Sequence, residues 1–553
     1  MDIVKAYDVR GVVGEQIDAE SCRALGSAFA TLVVLPESGG LEPRLAIGYD
    51  MRPSSPELAG AFAAGAAEAG AVVQVVGLTS TDQLYFVSGS RDAAGVMFTA
   101  SHNPARYNGL KLCRRGARPV SLDTGLAGVR DLAVAMLTGR AEPARVDGGS
   151  VGHDDTLAEY AAHLRSLVPL DAGRPLRVVV DAGNGMGGLT VPAVLEQAAG
   201  LPALPLEVVP LYFELDGTFP NHDANPLDLT TLVDLQAAVV AHGADLGLAM
   251  DGDADRCFVI DERGEIVDPS TVTALVAELE IARARADGEE APVVLYNLIT
   301  SRVVPEVVAA AGGRAVRTRV GHSYIKAEMA RTGAVFGGEH SAHFYFRDFY
   351  GADSGMLAAL HVLAALGRTP EGTALSSLVV GYDRYARSGE INSRIADPEE
   401  AIRLVVDAVE DGPEPFDLDW LDGVTISADD GSWWLNLRAS NTEPLLRLNV
   451  EAVDEATMTR VRDQVLAVVR DQGDYGPWGA ATTPTLEPWL REILRCPACR
   501  SPLVDASDQD YRPALRCSAR APDGTTGCGR TYRFDDGVPV LLVDEGVLPV
   551  VDA

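Results

Sequence analysis

Residues 44–76 read RLAIGYDMRPSSPELAGAFAAGAAEAGAVVQVV. Arg44–Tyr49 has the apolar texture of a strand, Ser55–Ala71 is Ala-rich with helical spacing, and Val72–Val76 is β-branched again. Strand, helix and strand in that order make a βαβ unit. Working outward, Gly95–Thr99 is the next strand, and the cycle restarts at Arg177–Val180, Ala244–Met250 and Val293–Leu298. The expected fold class is therefore α/β, with three consecutive mixed α/β domains divided near Gly148–His153 and Asp261–Asp268. After about residue 375 the texture changes. Val405–Val409, Gly423–Ser427, Trp433–Ala439 and Leu445–Val450 predict an antiparallel sheet with helices, an α+β fourth domain. Gly473–Pro488, rich in Gly, Pro and Thr, reads as a linker, and a Cys-containing tail follows.

The 553 residues carry 79 Asp+Glu against 46 Lys+Arg, a formal net charge of −33. A hydrophobic share of 47% with 23% charged residues is enough to build cores and excludes wholesale disorder. No apolar run is long enough to span a bilayer. The start, MDIVKAYDVRG, lacks the apolar stretch of an export signal, so the expected location is the cytoplasm. So acidic a surface also argues against nucleic-acid binding, which needs dense Lys and Arg. A small-molecule enzyme is the leading class, and an anionic substrate would need a locally basic pocket. Cys22, Cys113 and Cys257 are scattered and read as buried small apolar side chains.

Four short motifs carry chemistry. Thr99-Ala100-Ser101-His102-Asn103-Pro104 follows a strand and ends in a forced turn, presenting Ser101 as a nucleophile or phosphate carrier, or as a polar turn only. Asp251-Gly252-Asp253-Ala254-Asp255-Arg256 converges three carboxylates on one point, where Mg²⁺ is the natural occupant. A calcium hand would need Gly where Arg256 stands, and a helix where Cys257-Phe258-Val259-Ile260 reads as a strand. Gly337-Gly338-Glu339-His340-Ser341-Ala342-His343 offers an acceptor, a hydroxyl and a proton carrier from one loop. Arg438-Ala439-Ser440-Asn441-Thr442 offers the donor set of a phosphate clamp. Asp181–Gly188 satisfies G-x-G-x-x-G, with Glu207 near the acidic position, yet nothing else suggests hydride transfer. It is expected to be a tight strand-to-helix turn.

In this order the four motifs resemble those of the α-D-phosphohexomutases, in the phosphomannomutase/phosphoglucomutase branch. The likeness extends to Lys5-Ala6-Tyr7-Asp8-Val9-Arg10-Gly11, Tyr107-Asn108-Gly109-Leu110-Lys111, Phe219-Pro220-Asn221-His222 and Val320-Gly321-His322-Ser323-Tyr324-Ile325-Lys326. The resemblance implies four domains around a central cleft: 1–150 with the phosphoserine, 151–262 with the metal loop, 263–375 with the sugar loop and 376–475 with the phosphate clamp. It implies that Ser101 is the phosphoserine, and that Asp251, Asp253 and Asp255 hold Mg²⁺ together with its phosphate. Mannose 6-phosphate and mannose 1-phosphate would interconvert through a hexose 1,6-bisphosphate, which also serves as activator; glucose phosphates are the alternative substrates. Glu339 and Ser341 would grip the sugar 3- and 4-hydroxyls, and Arg438, Ser440, Asn441 and Thr442 the phosphate that is not reacting. Arg10, Lys111, His102 and His343 are the candidates for proton transfer and charge stabilisation. Tyr7, Arg256, His322 and Lys326 would line the substrate site. Two departures stand out: Ala342 takes the place of a common Gly, and Ile299 or Thr300 replaces a phosphate-contacting lysine, for which Arg302 is a candidate substitute. A basic run, Arg314, Arg317, Arg319, Lys326 and Arg331, is expected to converge on the cleft with Arg10, Lys111 and Arg438.

In the tail, Cys496, Cys499, Cys517 and Cys528 crowd four thiols into a short stretch, favouring structural Zn²⁺, with a metal-free ribbon or disulfides as alternatives. Residues 485–553 resemble small zinc-ribbon proteins, which implies docking to a protein partner. A non-enzymatic alternative for the whole chain is a scaffold that binds partners through this ribbon. A phosphatase hydrolysing the serine phosphate is the other enzymatic alternative.

Overall fold

The alternation of β-branched and Ala/Leu-rich segments recurs three times, and in the computed structural model each recurrence closes a sheet of the same topology. The described residues are 3–5, 7–170, 173–395, 397–412, 414–439 and 445–470, then 494–498, 500, 503–507, 513–517, 530–535, 538–539 and 541. The first sheet is built on Arg44–Tyr49, Val72–Leu78, Ala94–Phe98 and Tyr107–Arg114. The second uses Leu176–Asp181, Leu206–Leu211, Leu246–Met250 and Cys257–Asp261, and the third Val293–Asn297, Arg314–Thr318, Phe336–Gly338 and Phe344–Phe346. In each, the first strand lies between the second and third, all parallel, and the fourth turns back antiparallel beside the third.

That topology positions the chemistry. In α/β sheets ligands gather at the carboxyl ends of the parallel strands, where the strand order reverses. The loop after the third strand leaves at that end in every block, and those loops carry Ser101, Asp251 and Glu339 in turn. Asp8–Val12 extends the first sheet beside Tyr107–Arg114, placing Asp8 opposite Lys111 and Arg10 opposite Gly109. Ser150–His153 pairs with Val72–Leu78, so the first sheet runs past the expected boundary at residue 150. Ile266–Val267 pairs with Cys257–Asp261, likewise past residue 262. The strand Cys257–Asp261 also disposes of the calcium-hand alternative, which needs a helix there. Phe62 of the helix Ser55–Glu68 meets Phe98 edge-on at 5.7 Å in the first core. No helix among the described residues is long and apolar enough to cross a membrane.

Two compact units divide the chain, Met1–Arg384 and Tyr385–Ala553. In the second, an antiparallel sheet runs in the order Ala386–Arg387, Leu445–Ala452, Trp433–Ala439, Val424–Ala428, Phe416–Asp419, with Ile391–Arg394 also on Leu445–Ala452. The expected strand at Val405–Val409 is instead part of the helix Pro398–Glu410. Ala401, Ile402, Val405, Val406 and Val409 are buried, a helical spacing that a β-branched run of this length hides, and Asp397 caps the start by accepting from the Glu400 N–H. In the tail, Leu503–Ser507, Pro513–Cys517, Thr531–Asp535 and Val538–Pro539 form an antiparallel sheet. Cys496 and Cys517 are buried there, with the Tyr532 hydroxyl 3.1 Å from Cys496 Sγ. Cys499 and Cys528 lie outside the described residues, as does the expected linker.

Candidate active site

The first unit gathers Ser101, His102, Asp251, Asp253, Asp255, Arg256, Lys111 and His343 into one buried cluster. Ser101 stands in the left-handed region, at φ 51°, and is 1% exposed. Its Oγ lies 3.0 Å from Asp251 Oδ2 and 3.2 Å from His102 Nδ1. The Ser101 loop and the acidic loop pack backbone to backbone: a Cβ on Gly252 would sit 2.6 Å from Ser101 O, so only glycine fits. The same logic explains the G-x-G-x-x-G turn after Leu176–Asp181. Met186 N–H donates to Gly252 O at 2.9 Å, and a Cβ on Gly185 would meet that oxygen at 2.7 Å. Its glycines seat the acidic loop.

One carboxylate oxygen from each of Asp251, Asp253 and Asp255 lies within 4.8 Å of the others. Lys111 bridges two of them, 2.7 Å from Asp253 Oδ2 and 2.5 Å from Asp255 Oδ2. Among the described residues Asp253 Oδ1 is buried without a hydrogen-bond partner, and Asp255 Oδ1 has His343 Nε2 at 3.4 Å. Three buried carboxylates with oxygens left over form the hard donor set that a divalent cation such as Mg²⁺ takes. Burial, then Asp255 and Asp253, push the Asp251 carboxyl up to about 7. Burial also tends to raise Asp255, but Lys111 and then His343 hold it well below the usual carboxylate range.

The cations have separate jobs. Arg256 NH2 lies 3.1 Å from His102 Nδ1, so that nitrogen accepts. Burial first, then Arg256, Arg10 and Lys111, keep the His102 imidazole neutral at pH 7. Burial disfavours the charged form of His343, yet Asp255 more than compensates and its pKa is raised. Arg10 is aimed by two bonds, Nε to Asp8 Oδ2 at 2.7 Å and NH1 to Asn103 Oδ1 at 2.7 Å.

Glu339 is buried and aimed by its neighbours. Its Oε1 accepts from Asn297 Nδ2 and Gly321 N, both at 3.2 Å, and its Oε2 from the Tyr345 hydroxyl at 2.7 Å. Thr300, one of the two positions expected to depart from the family lysine, donates to Asn297 Oδ1 at 2.7 Å and so supports the Glu339 loop from behind. Ser341 Oγ sits 3.1 Å from His343 Nδ1, linking that loop to the acidic cluster. Tyr7 adjoins it, with a ring atom 3.8 Å from where a Cβ on Gly321 would stand. Ala342 adopts φ 63°, left-handed backbone that glycine occupies without strain.

Two members of the expected basic run are taken up by local carboxylates. Lys326 is 4% exposed, paired with Asp353 Oδ1 at 2.6 Å and lying 3.7 Å over the Tyr85 ring. Arg331 pairs with Glu328 on its own helix. Arg314 opens its strand and Thr318 closes it, about 13 Å apart. Of the remaining expected site residues, His322 begins the helix His322–Thr332, and its side chain is not described. Arg438, in the second unit, shares Glu390 with Arg447, each at 2.9 Å. Ser440, Asn441 and Thr442 lie outside the described residues.

Sequence reading missed Thr81, Asn103, Asn297, Tyr345 and Asp353. Thr81 had a signal: Thr79-Ser80-Thr81 follows a parallel strand at the end where the other site loops gather. Asn103, Asn297 and Asp353 are recognisable only once the loops are brought together, whereas Tyr345 lies six residues from Glu339 across one hairpin.

Comparison with known proteins agrees with this geometry. The descriptions "Phosphoglucomutase/phosphomannomutase, alpha/beta/alpha domain I", II and III match residues 1–128, 158–264 and 268–385, and the C-terminal domain of that family matches residues 390–468. A protein of Xanthomonas campestris named "Phosphohexose mutases" is 39% identical over 467 residues, 84% of this chain and 98% of the relative. A phosphomannomutase of Salmonella typhimurium is 37% identical over 473 residues, 85% and 98% respectively. A crystal structure of a phosphoglucomutase/phosphomannomutase family protein from Burkholderia thailandensis superposes with TM-score 0.73 at 30% identity, covering 85% of this chain and 98% of that one. The chain belongs to the phosphoglucomutase/phosphomannomutase family, and it is a phosphohexose mutase.

Proposed function

We propose that this enzyme interconverts mannose 6-phosphate and mannose 1-phosphate, with Ser101 as the phosphate carrier and a hexose 1,6-bisphosphate as intermediate and activator. The observation that carries the reading is Ser101 Oγ at 3.0 Å from Asp251 Oδ2, within a three-carboxylate cluster. Asp251, Asp253 and Asp255 would hold Mg²⁺, which when bound would withdraw charge from the phosphoryl oxygens. Arg10 and Lys111 supply positive charge beside the phosphoryl group. His102, with Nδ1 3.2 Å from Ser101 Oγ, is the candidate for proton transfer on this loop, and His343 beside Asp255 is the candidate for charge stabilisation from the third domain. Glu339 and Ser341 hold the sugar hydroxyls, with Tyr7, Arg256, His322 and Lys326 completing the site from its walls. Arg438, Ser440, Asn441 and Thr442 hold the second phosphate.

The mannose preference is supported by the names of relatives at about 37% identity; the name "Phosphohexose mutases" on the 39% relative favours dual specificity as the second reading. Turnover of mannose 1-phosphate and glucose 1-phosphate, with Mg²⁺ and a trace of bisphosphate, separates them. A mannose kcat/KM at least tenfold higher is expected, and equal values would establish the dual enzyme. We place the enzyme in the cytoplasm, with the domains divided as the sequence suggests except where strand pairing extends them. For the tail we propose structural Zn²⁺ held by Cys496, Cys499, Cys517 and Cys528, and a docking role toward a protein partner. The burial of Cys496 and Cys517 side by side with the small sheet supports this. Metal analysis of the purified full chain tests it, with one zinc per chain expected and none contradicting it.

A further inference from the structure

Asp50-Met51-Arg52 follows the strand Arg44–Tyr49, and nothing in the reaction described above uses it. Yet Arg52 is among the largest fully enclosed side chains of the protein, 1% exposed. A buried guanidinium must satisfy five N–H donors or lose several kcal/mol of hydration. All five are taken here. Nε donates to Asp50 Oδ2 at 3.1 Å. NH1 donates to Pro104 O at 2.9 Å and Tyr107 O at 3.1 Å. NH2 donates to Ser101 O at 2.9 Å and Asn103 O at 2.7 Å.

Those four carbonyls span the whole loop between Ala94–Phe98 and Tyr107–Arg114. One side chain therefore fixes the path of the loop that bears Ser101, including the peptide at which Ser101 turns left-handed. Asp50 is itself anchored, accepting from Ser55 Oγ at 2.6 Å and from Arg52 N at 3.1 Å. The cover over the guanidinium comes from the second block. Phe219 places its ring 5.1 Å from Arg52 Cζ, and Gly217 lies so close that a Cβ there would sit 2.5 Å from Arg52 Cα. Phe219, from the family-like stretch Phe219-Pro220-Asn221-His222 without an assigned task, thus covers this arginine.

We propose that Arg52 is a positioning residue for phosphoryl transfer: it sets the Ser101 loop by its carbonyls, and Phe219 makes that grip depend on the second domain being seated. Lysine cannot replace it, because a point-like ammonium lacks the planar fork that reaches four carbonyls. A misplacement of the nucleophile by about 1 Å costs on the order of 100-fold in rate, while a phosphosugar bound elsewhere in the site is unaffected.

The proposal rests on Ser101 being the phosphate carrier, and the experiment separates the two. The full-length wild type, Arg52→Lys and Phe219→Ala are charged with hexose 1,6-bisphosphate and their phosphoserine content is measured by intact mass. The kcat and KM for mannose 1-phosphate are then expressed per phosphorylated molecule. Arg52→Lys is expected to lose about 100-fold in kcat with KM within about threefold. Phe219→Ala is expected to lose about tenfold in kcat by letting water reach the guanidinium, and to add little when combined with Arg52→Lys. A purely structural role would lower the yield of folded, phosphorylated protein but leave kcat per phosphorylated molecule within twofold in both variants, and that result overturns the proposal. Should Arg52→Lys not fold, Phe219→Ala alone decides. A wild type that never acquires a phosphoryl group on Ser101 overturns the reading of the site instead.

Discussion

Thr81 grips Asp253 at both ends. Its N–H donates to the Asp253 carbonyl oxygen at 3.0 Å and its hydroxyl to Oδ2 at 2.5 Å. The first domain thereby shapes the acidic loop of the second, and Asp253 is left with one oxygen, Oδ1, to offer a cation.

Removing the hydroxyl with Thr81→Val leaves a buried carboxylate oxygen short of a donor, worth about 1–3 kcal/mol. The expected result is a weaker Mg²⁺ dependence midpoint, by about tenfold, with Thr81→Ser close to wild type. A Mg²⁺ titration of initial rates checks both variants, and an unchanged midpoint in Thr81→Val counts against the role.

Lys111 neutralises Asp253 and Asp255 within a buried cluster. Breaking buried pairs by removing one partner costs about 3–5 kcal/mol, because the remaining charges stay uncompensated. Lys111→Met should therefore lower the urea midpoint markedly, and added Mg²⁺ should recover part of the loss by taking over the neutralisation. Urea unfolding with and without Mg²⁺ measures this, and a variant as stable as wild type in chelator contradicts it.

Asp82 titrates against folding. Burial pushes its carboxyl up to about 6, even though it accepts from Ser354 at 2.6 Å, from Ser80, and from Tyr160 at 2.7 Å. In the unfolded chain its pKa is about 3.9. Between roughly pH 4 and 6 the folded protein holds a proton that the unfolded chain releases, so this group's stabilisation is present below that window and lost as pH rises through it, about 3 kcal/mol in all. The stability of wild type relative to Asp82→Asn should fall by that order from pH 4 to pH 7. A pH-independent difference between the two proteins contradicts the assignment.

Ala342 carries a methyl group where left-handed backbone favours glycine. Ala342→Gly relieves strain of about 1–2 kcal/mol but gives up methyl burial and gains unfolded-state freedom, so a net change within about 1 kcal/mol is expected. Ala342→Val adds a β-branch to the same backbone in a fully buried site and should cost about 3 kcal/mol or more, with loss of mutase activity. Thermal unfolding of the two variants distinguishes them.

The three α/β blocks were legible because parallel strands buried on both faces write continuous apolar runs, and the loops bearing Ser101, Asp251 and Glu339 because their residue types are unusual at strand ends. Val405–Val409 was misread because a β-branched run is ambiguous in a short window, and only the wider spacing from Ala401 to Val409 reveals the helix. Lys326 and Arg331 illustrate a different limit. Sequence registers positive charge, but whether a partner such as Asp353 or Glu328 consumes it depends on packing. Thr81 and Asn297 were illegible for a related reason: each acts by touching a residue far away in the chain.

The central claim is that Ser101 carries a phosphate which moves between enzyme and sugar without net hydrolysis. Its most direct test follows mannose 1-phosphate, mannose 6-phosphate and inorganic phosphate together, for wild type and Ser101→Ala, with Mg²⁺ and a trace of bisphosphate. The predicted result is that mannose 1-phosphate lost equals mannose 6-phosphate gained, that inorganic phosphate stays flat, and that Ser101→Ala loses at least about 100-fold in rate. Stoichiometric release of inorganic phosphate without the 6-phosphate, or full turnover by Ser101→Ala, would contradict it.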